Sequence, residues 1–218
     1  DTAVLRMDAD TVTASNNHEA ILGRFRRERI PILLGTQMVA KGLDFENVTL
    51  VGVVDADMSL YVDNFRAAET TFSLITQVVG RAGRGAASGT AVIQPLAPKH
   101  PVLQLAAKQD YDAFYELEIK IRTLRGFPPL RDIFLLTFTG MHEDQVMRAA
   151  ARFRDRLSAS LTQDAELCEA LLLGPSPAPV ARVNYTYRYR LTLSCKNSRK
   201  LRQLLSQHLR MFFTEKEY

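Results

Sequence analysis

Cysteine is scarce in this chain of 218 residues: Cys168 and Cys195 lie far apart and form no Cys-x-x-Cys pair. That excludes a zinc-ligand motif and a disulfide framework, so no metal site is expected, and both residues read as ordinary core or surface positions. Long apolar runs are absent too. None approaches the roughly 18 residues that cross a bilayer, and the opening Asp1-Thr2-Ala3-Val4 lacks the basic and then apolar segments of a leader. The expectation is a cytoplasmic protein with no membrane partner. The sequence also has no Gly-x-x-x-x-Gly-Lys-Ser/Thr loop to cradle a polyphosphate and no Asp-Glu pair placed after a strand to hold magnesium. Alone, the chain is expected not to hydrolyse a nucleoside triphosphate.

What is present is ample apolar material and an uneven charge. Hydrophobic residues make up 46% of the chain, enough to core one large domain or two small ones. The formal net charge of +4 hides an asymmetry. Residues 1–126 carry 14 Lys and Arg against 15 Asp and Glu, net −1, and residues 127–218 carry 14 against 9, net +5. A basic second part suits nucleic acid or an acidic protein partner, or is a basic domain that binds neither.

The stretch Gln77-Val78-Val79-Gly80-Arg81-Ala82-Gly83-Arg84-Gly85 sets two guanidinium groups three residues apart with glycines between them. Residues three apart on a helix share a face. The glycines clear that face of side chains, and planar forks suit phosphate oxygens. An Arg-Gly surface turn is the plainer alternative.

The apolar pattern predicts an α/β layout for the first part, with strands at Val4–Met7, Ile32–Leu34, Val48–Val54 and Thr90–Gln94. Helices are expected over Ile21–Arg29 and from about Thr70 to Arg81. The run Val48–Val54, closing on Asp55, reads as a strand buried on both faces. Tyr111, Phe114, Tyr115, Glu118, Ile121 and Leu124 recur at near-helical spacing, so a trailing packed helix is expected. Gly126-Phe127-Pro128-Pro129 cannot continue it, which places a domain boundary there, giving domains 1–126 and 127–218. Beyond it come a strand at Ile133–Thr139, a helix at Glu143–Leu161, and Leu171–Leu173 leading into Gly174-Pro175. A hairpin of Ala178–Arg182 with Thr186–Ser194 and a helix from Ser198 complete a small α+β domain of order βαββα. Tyr187, Tyr189, Leu191 and Leu193 alternate with Arg188, Arg190 and Thr192. The tyrosines are either a strand's core face or a stacking platform for single strands, with the arginines on the other face.

Thr36 to Asp44 resembles motif V of the superfamily 2 helicases, and Gln77 to Arg84 their motif VI, at the expected spacing. More narrowly, Gly-Thr-Gln-Met from Gly35 with Ala40-Lys41-Gly42, Val48–Val51, Phe65–Glu69, the arginine stretch, Gly89–Gln94, Pro98–Pro101 and Phe127-Pro128-Pro129 are similar to the PriA family of bacterial replication-restart, or primosomal, DNA helicases. Two positions depart from that family: Asn64 stands where aspartate is usual and Thr70 where arginine follows the glutamate. Arg66 and Glu69 then read as a plain helix-surface pair.

The resemblance implies a RecA-like parallel-sheet second motor lobe followed by the C-terminal domain, both ends of the chain being cut from a longer protein. It implies ATP and Mg2+ held mainly by a first lobe outside this chain, and a zinc insertion whose ligands are not found here. Arg84 would be the arginine finger, Arg81 its neighbour, and Gln77 a residue positioning phosphate or water. Gly42 and Asp44 would approach the nucleotide. Thr36 would hold a nucleic-acid phosphate, and Lys41 is either a DNA contact or a solvated lysine. Arg188 and Arg190 are candidate DNA contacts of the basic domain. Arg199 and Gln203 match positions that would bind the acidic C-terminal tail of single-stranded-DNA-binding protein. Implied partners are branched and single-stranded DNA and primosome proteins. The implied function is ATP-dependent unwinding at stalled forks. A fork-binding scaffold that has lost its ATPase is the alternative, and a fork-reversal helicase fits the Gly-Thr-Gln-Met and Phe-Pro-Pro segments poorly.

Overall fold

The computed structural model describes residues 2–8, 18–36, 48–80 and 89–214. The chain divides into two compact units, residues 1–116 and 117–218. The division falls inside a helix rather than at Phe127, because that helix serves both units: Phe114 stacks on Phe72 in the first, with ring centroids 4.1 Å apart, while its last turns belong to the second.

In the N-terminal unit, strand β1 (Val4–Met7) lies parallel to β2 (Ile32–Gly35), with Val4 opposite Ile32 and Met7 opposite Gly35. Helix α1 (His18–Arg27) lies between them in sequence, since parallel neighbours need a crossover. Met7 and Ile21 are buried. Strands β3 (Leu50–Val54) and β4 (Thr90–Gln94) make a second parallel pair. Between them come a 3-10 turn at Met58–Tyr61 and helix α2 (Ala67–Val79). The start of α2 is set by Asn64, whose Oδ1 accepts the Arg66 amide at 2.9 Å while its carbonyl accepts Ala67. Thr71, Phe72, Ile75 and Val78 form its buried stripe, and the Thr71 hydroxyl is satisfied by the Ala67 carbonyl at 2.9 Å.

Three details here differ from the sequence reading. Strand β3 alternates instead of being buried on both faces, with Leu50 and Val54 exposed and Val51 and Val53 partly covered. A short helix α3 (Pro101–Ala107) also precedes the trailing one; proline fits its first turn and His100 Nδ1 accepts the Val102 amide at 3.3 Å. The trailing helix α4 (Tyr111–Arg125) forms as expected, but Phe114 alone of its expected stripe is buried, packing with Phe72, Val102, Leu103 and Ala106.

Gly126 ends α4 with φ of 63°. The Phe127 amide reaches back to the Arg122 carbonyl and the Gly126 amide to Thr123, the αL termination that only glycine adopts easily. A Cβ there would press Arg131 Cδ and Ser194 Oγ at 3.2 and 3.3 Å.

The C-terminal unit is an antiparallel sheet of order β5–β7–β6, from β5 (Asp132–Gly140), β6 (Leu171–Val183) and β7 (Thr186–Cys195). Helices α5 (Glu143–Gln163) and α6 (Arg199–Thr214) pack with it, completing the βαββα order. The core joins Phe153, Leu157 and Leu161 of α5, Leu191, Leu193 and Cys195 of β7, and Leu201 and Leu205 of α6. Strand β6 is one long element rather than two short ones. It carries register shifts between Leu173 and Ser176 and between Pro177 and Arg182, where Pro175, Pro177 and Pro179 cannot all join a ladder. Gly174, at φ 100°, is obligatory at the first shift, since a Cβ would lie 2.6 Å from the Arg190 carbonyl oxygen.

The two sheet faces predict opposite mutational outcomes. Leu191→Ala, at a fully buried site, should cost about 2–5 kcal/mol. Leu135→Ala, on the open face, should stay within about 0.5 kcal/mol of wild type. Urea titrations of both variants check the assignment.

Candidate functional site

Parallel strands bring their carboxyl ends to one edge, where α/β sheets commonly hold ligands. Thr36 follows β2 directly at such an end and is exposed. Gln77 lies in the last turn of α2, exposed, with its Nε2 donating to Ser73 Oγ at 3.0 Å. The helix closes at Gly80, whose amide donates to the Thr76 carbonyl at 2.9 Å. Arg81 and Arg84 follow in sequence but lie outside the described residues, as do Lys41, Gly42 and Asp44. Arg66 occupies the N-cap position of the same helix without a side-chain capping bond, and its guanidinium carbon lies 5.4 Å from the Phe65 ring centroid.

A carboxylate that the sequence reading passed over organises the carboxyl end of the separate β3–β4 pair. Asp57 is fully buried and accepts the amides of Leu96 at 3.0 Å and Ala97 at 2.8 Å. It thereby ties the turn after β3 to the segment after β4. The Ala56 amide adds a bond to the Gln94 carbonyl, and Asp55 takes a left-handed φ of 50° so that the chain can turn at once. Hydrogen bonds to the ionised form, that from Leu96 foremost, hold the Asp57 carboxyl below the usual aspartate range, with a smaller contribution from His100. The Asp-x-Asp immediately after an apolar strand was the signal available in sequence.

In the C-terminal unit, β7 settles the tyrosine–arginine alternation. Tyr189 is buried in the core and its hydroxyl donates to Glu143 Oε1 at 2.9 Å, which together with burial raises its pKa. Arg188 and Arg190 occupy the opposite face, half-buried, with Arg188 opposite Thr139 and Arg190 flanked by Thr137 and Ser176. The Arg190 Nε is buried and makes no hydrogen bond among the described residues.

Arg199 and Gln203, four residues apart at the start of α6, are both exposed and share a face. Their neighbours are engaged structurally. Lys200 Nζ binds Asp164 at 2.8 Å and Glu166 at 3.4 Å, lowering the Asp164 pKa and raising that of Lys200, and Arg202 donates to Asn197 Oδ1. Elsewhere on α6 an apolar groove is lined by Phe134 and Leu136 of β5 and by Leu205, Leu209 and Phe213 of α6, with Arg202 and Arg210. The described residues contain no cluster of three His, Cys, Asp or Glu able to hold a metal and no helix long and apolar enough to cross a membrane.

Two family models match the chain: the helicase conserved C-terminal domain over residues 2–86, and the primosomal protein N C-terminal domain over residues 123–216. Among curated proteins, the replication restart protein PriA of Bacillus subtilis is 41% identical over 216 residues, 98% of this chain and 26% of that protein. The protein of the same name from Synechocystis is 38% identical over 193 residues, 86% of this chain and 22% of that protein. That from Haemophilus influenzae is 32% identical over 206 residues, 94% of this chain and 28% of that protein. The chain thus spans about a quarter of the length of these relatives.

Because Asp57 ionises more readily folded than unfolded, its stabilising contribution is complete above the ordinary value near 3.8 and disappears as pH falls through the lower folded value. Asp57→Asn should destabilise the N-terminal unit at neutral pH and weaken its loss of stability on acidification. Urea midpoints measured between pH 7 and pH 3 test this; an unchanged midpoint at pH 7 would contradict the clamp.

Proposed function

The chain belongs to the PriA family of replication restart proteins, and we propose that it supplies the second motor lobe and C-terminal domain of an ATP-dependent DNA helicase acting at stalled or branched replication forks. The observation that carries this reading is the match of residues 2–86 to a helicase domain in which Thr36 follows a parallel strand and Gln77 lies in the last turn of the helix that precedes Arg81 and Arg84 in sequence.

In this reading the ATP site is composite. A preceding lobe holds ATP and Mg2+, while Arg84 meets the charge developing on the γ-phosphate, a role worth about three to five decades in rate. Arg81 and Gln77 would support that contact, and Gly42 and Asp44 would border the nucleotide. The motor contribution of this chain is electrostatic and positional, as phosphoryl transfer requires. Thr36, with Lys41, would hold a phosphate of the tracked strand. Arg188 and Arg190 would add a second DNA contact, and Arg199 with Gln203 would take the acidic tail of single-stranded-DNA-binding protein, supported by their shared exposed face in a basic helix. Primosome proteins complete the proposed partners.

Fork-stimulated ATP hydrolysis by the full-length protein should fall at least about a hundredfold in Arg84→Ala while fork binding persists. Equal rates would remove Arg84 from the role, and no hydrolysis in either form would favour a fork-binding scaffold. Arg199→Ala should weaken an acidic-tail peptide in a fluorescence titration without moving the thermal midpoint.

A further inference from the structure

The β6–β7 hairpin ends in a feature that the motor reading leaves unused. Arg182 pairs with Tyr187 and Val183 with Thr186, so the reversal is a two-residue turn at Asn184-Tyr185, and both central residues have positive φ, 47° and 64°. That is what a type I′ turn demands, and it suits the twist of the two strands. Strand β5 reaches only as far as Gly140 opposite Tyr187, so beyond this pair the ribbon has two strands. The register shift between Pro177 and Arg182 re-aims it relative to the rest of β6.

Aromatic and cationic groups gather at this tip. The Arg182 guanidinium carbon lies 4.9 Å from the Tyr187 ring centroid and 5.5 Å from that of Tyr185. Tyr185 is 79% exposed, and Val183 at the same end of the hairpin is exposed too. Arg188, next to Tyr187 on the strand, takes the opposite face with Arg190 and is not part of this cluster. Between Glu169 and Glu215 the sequence contains eight lysines and arginines and no carboxylate. Glu143 and Asp144 act on Tyr189, two positions along the strand on the face that Tyr187 and Arg182 share.

We propose that the hairpin tip formed by Arg182, Tyr185 and Tyr187 is a base-stacking site for single-stranded nucleic acid. The exposed Tyr185 ring offers a flat face to a base, which a duplex keeps stacked and a single strand leaves open, while Arg182, set against the half-buried Tyr187, answers the phosphates. An acidic peptide would satisfy the arginine and leave the Tyr185 ring uncovered, so the aromatic content favours nucleic acid. The site goes beyond the DNA contacts proposed above, which involve the sheet face and the motor lobe.

The test is fluorescence anisotropy with the whole chain, comparing an oligothymidylate of about 15 nucleotides with an abasic strand of equal length and charge. Wild type should prefer the strand with bases by about tenfold. Tyr185→Ala should lose most of that preference and Tyr185→Phe should keep it; Tyr185 is exposed, so folding is not at stake. Arg182→Ala should reduce the slope of log K against log salt by about 0.7 for a lost phosphate contact. A wild type indifferent to the bases, or a Tyr185→Ala variant that keeps the preference, overturns the proposal. If Arg188→Ala and Arg190→Ala weaken binding while Tyr185→Ala does not, the hairpin site fails and the sheet-face contact stands. If wild type binds a polyglutamate peptide and neither strand, both fail.

Discussion

Strand β7 is hydrogen-bonded on both sides, and the alternation of its side chains fixes what the C-terminal unit can offer to solvent. Tyr189, Leu191, Leu193 and Cys195 must all face the helices, since together with Phe153, Leu157 and Leu201 they are the core. A one-residue slip would bury Arg188, Arg190 and Thr192 and expose the leucines. The arginines are therefore displayed because the core demands it, and any basic function of the sheet face exploits a position that folding already imposes.

The helices around this strand are held by chemistry as well as by apolar contact. The Tyr189 hydroxyl anchors the start of α5 through Glu143, and Lys200 fastens the start of α6 to Asp164, just past the end of α5. His208 of α6 meets Ser160 of α5 at 3.0 Å, and burial with the nearby Arg156 lowers its pKa, so it favours the neutral form that can share a proton with a hydroxyl. These contacts leave Arg199 and Gln203 on the open side of α6.

In the N-terminal unit the comparable constraint is the Asp57 clamp. Parallel strands leave their carboxyl ends without a hairpin to join them, and a buried carboxylate accepting two amides supplies the missing connection between the β3 and β4 ends. Helix α2 is then packed by Phe72 and Ile75, which orients its last turn and the exposed Gln77. The position of Gln77 thus follows from the packing of α2 through Phe72 and Ile75, beside strands whose ends the Asp57 clamp joins.

Local periodicity was enough to foretell most elements: the four N-terminal strands, the helix that precedes the arginine stretch, the stop at Gly126 and the βαββα order all follow from apolar spacing and from glycine and proline as punctuation. The motif residues were legible for the same reason, being defined by sequence spacing. What the sequence left open was decided by contacts distant along the chain. Whether Tyr189 was core or platform depended on Glu143, 46 positions away. The burial of Asp57 depended on amides 39 and 40 positions away. The continuity of β6 through its prolines depended on β7 beside it, and the pairing of Arg182 with two rings depended on a turn whose dihedrals only the finished hairpin imposes. Spacing encodes which face a residue takes within its own element, whereas partners, burial and the shape of a shared surface arise only when separate elements pack.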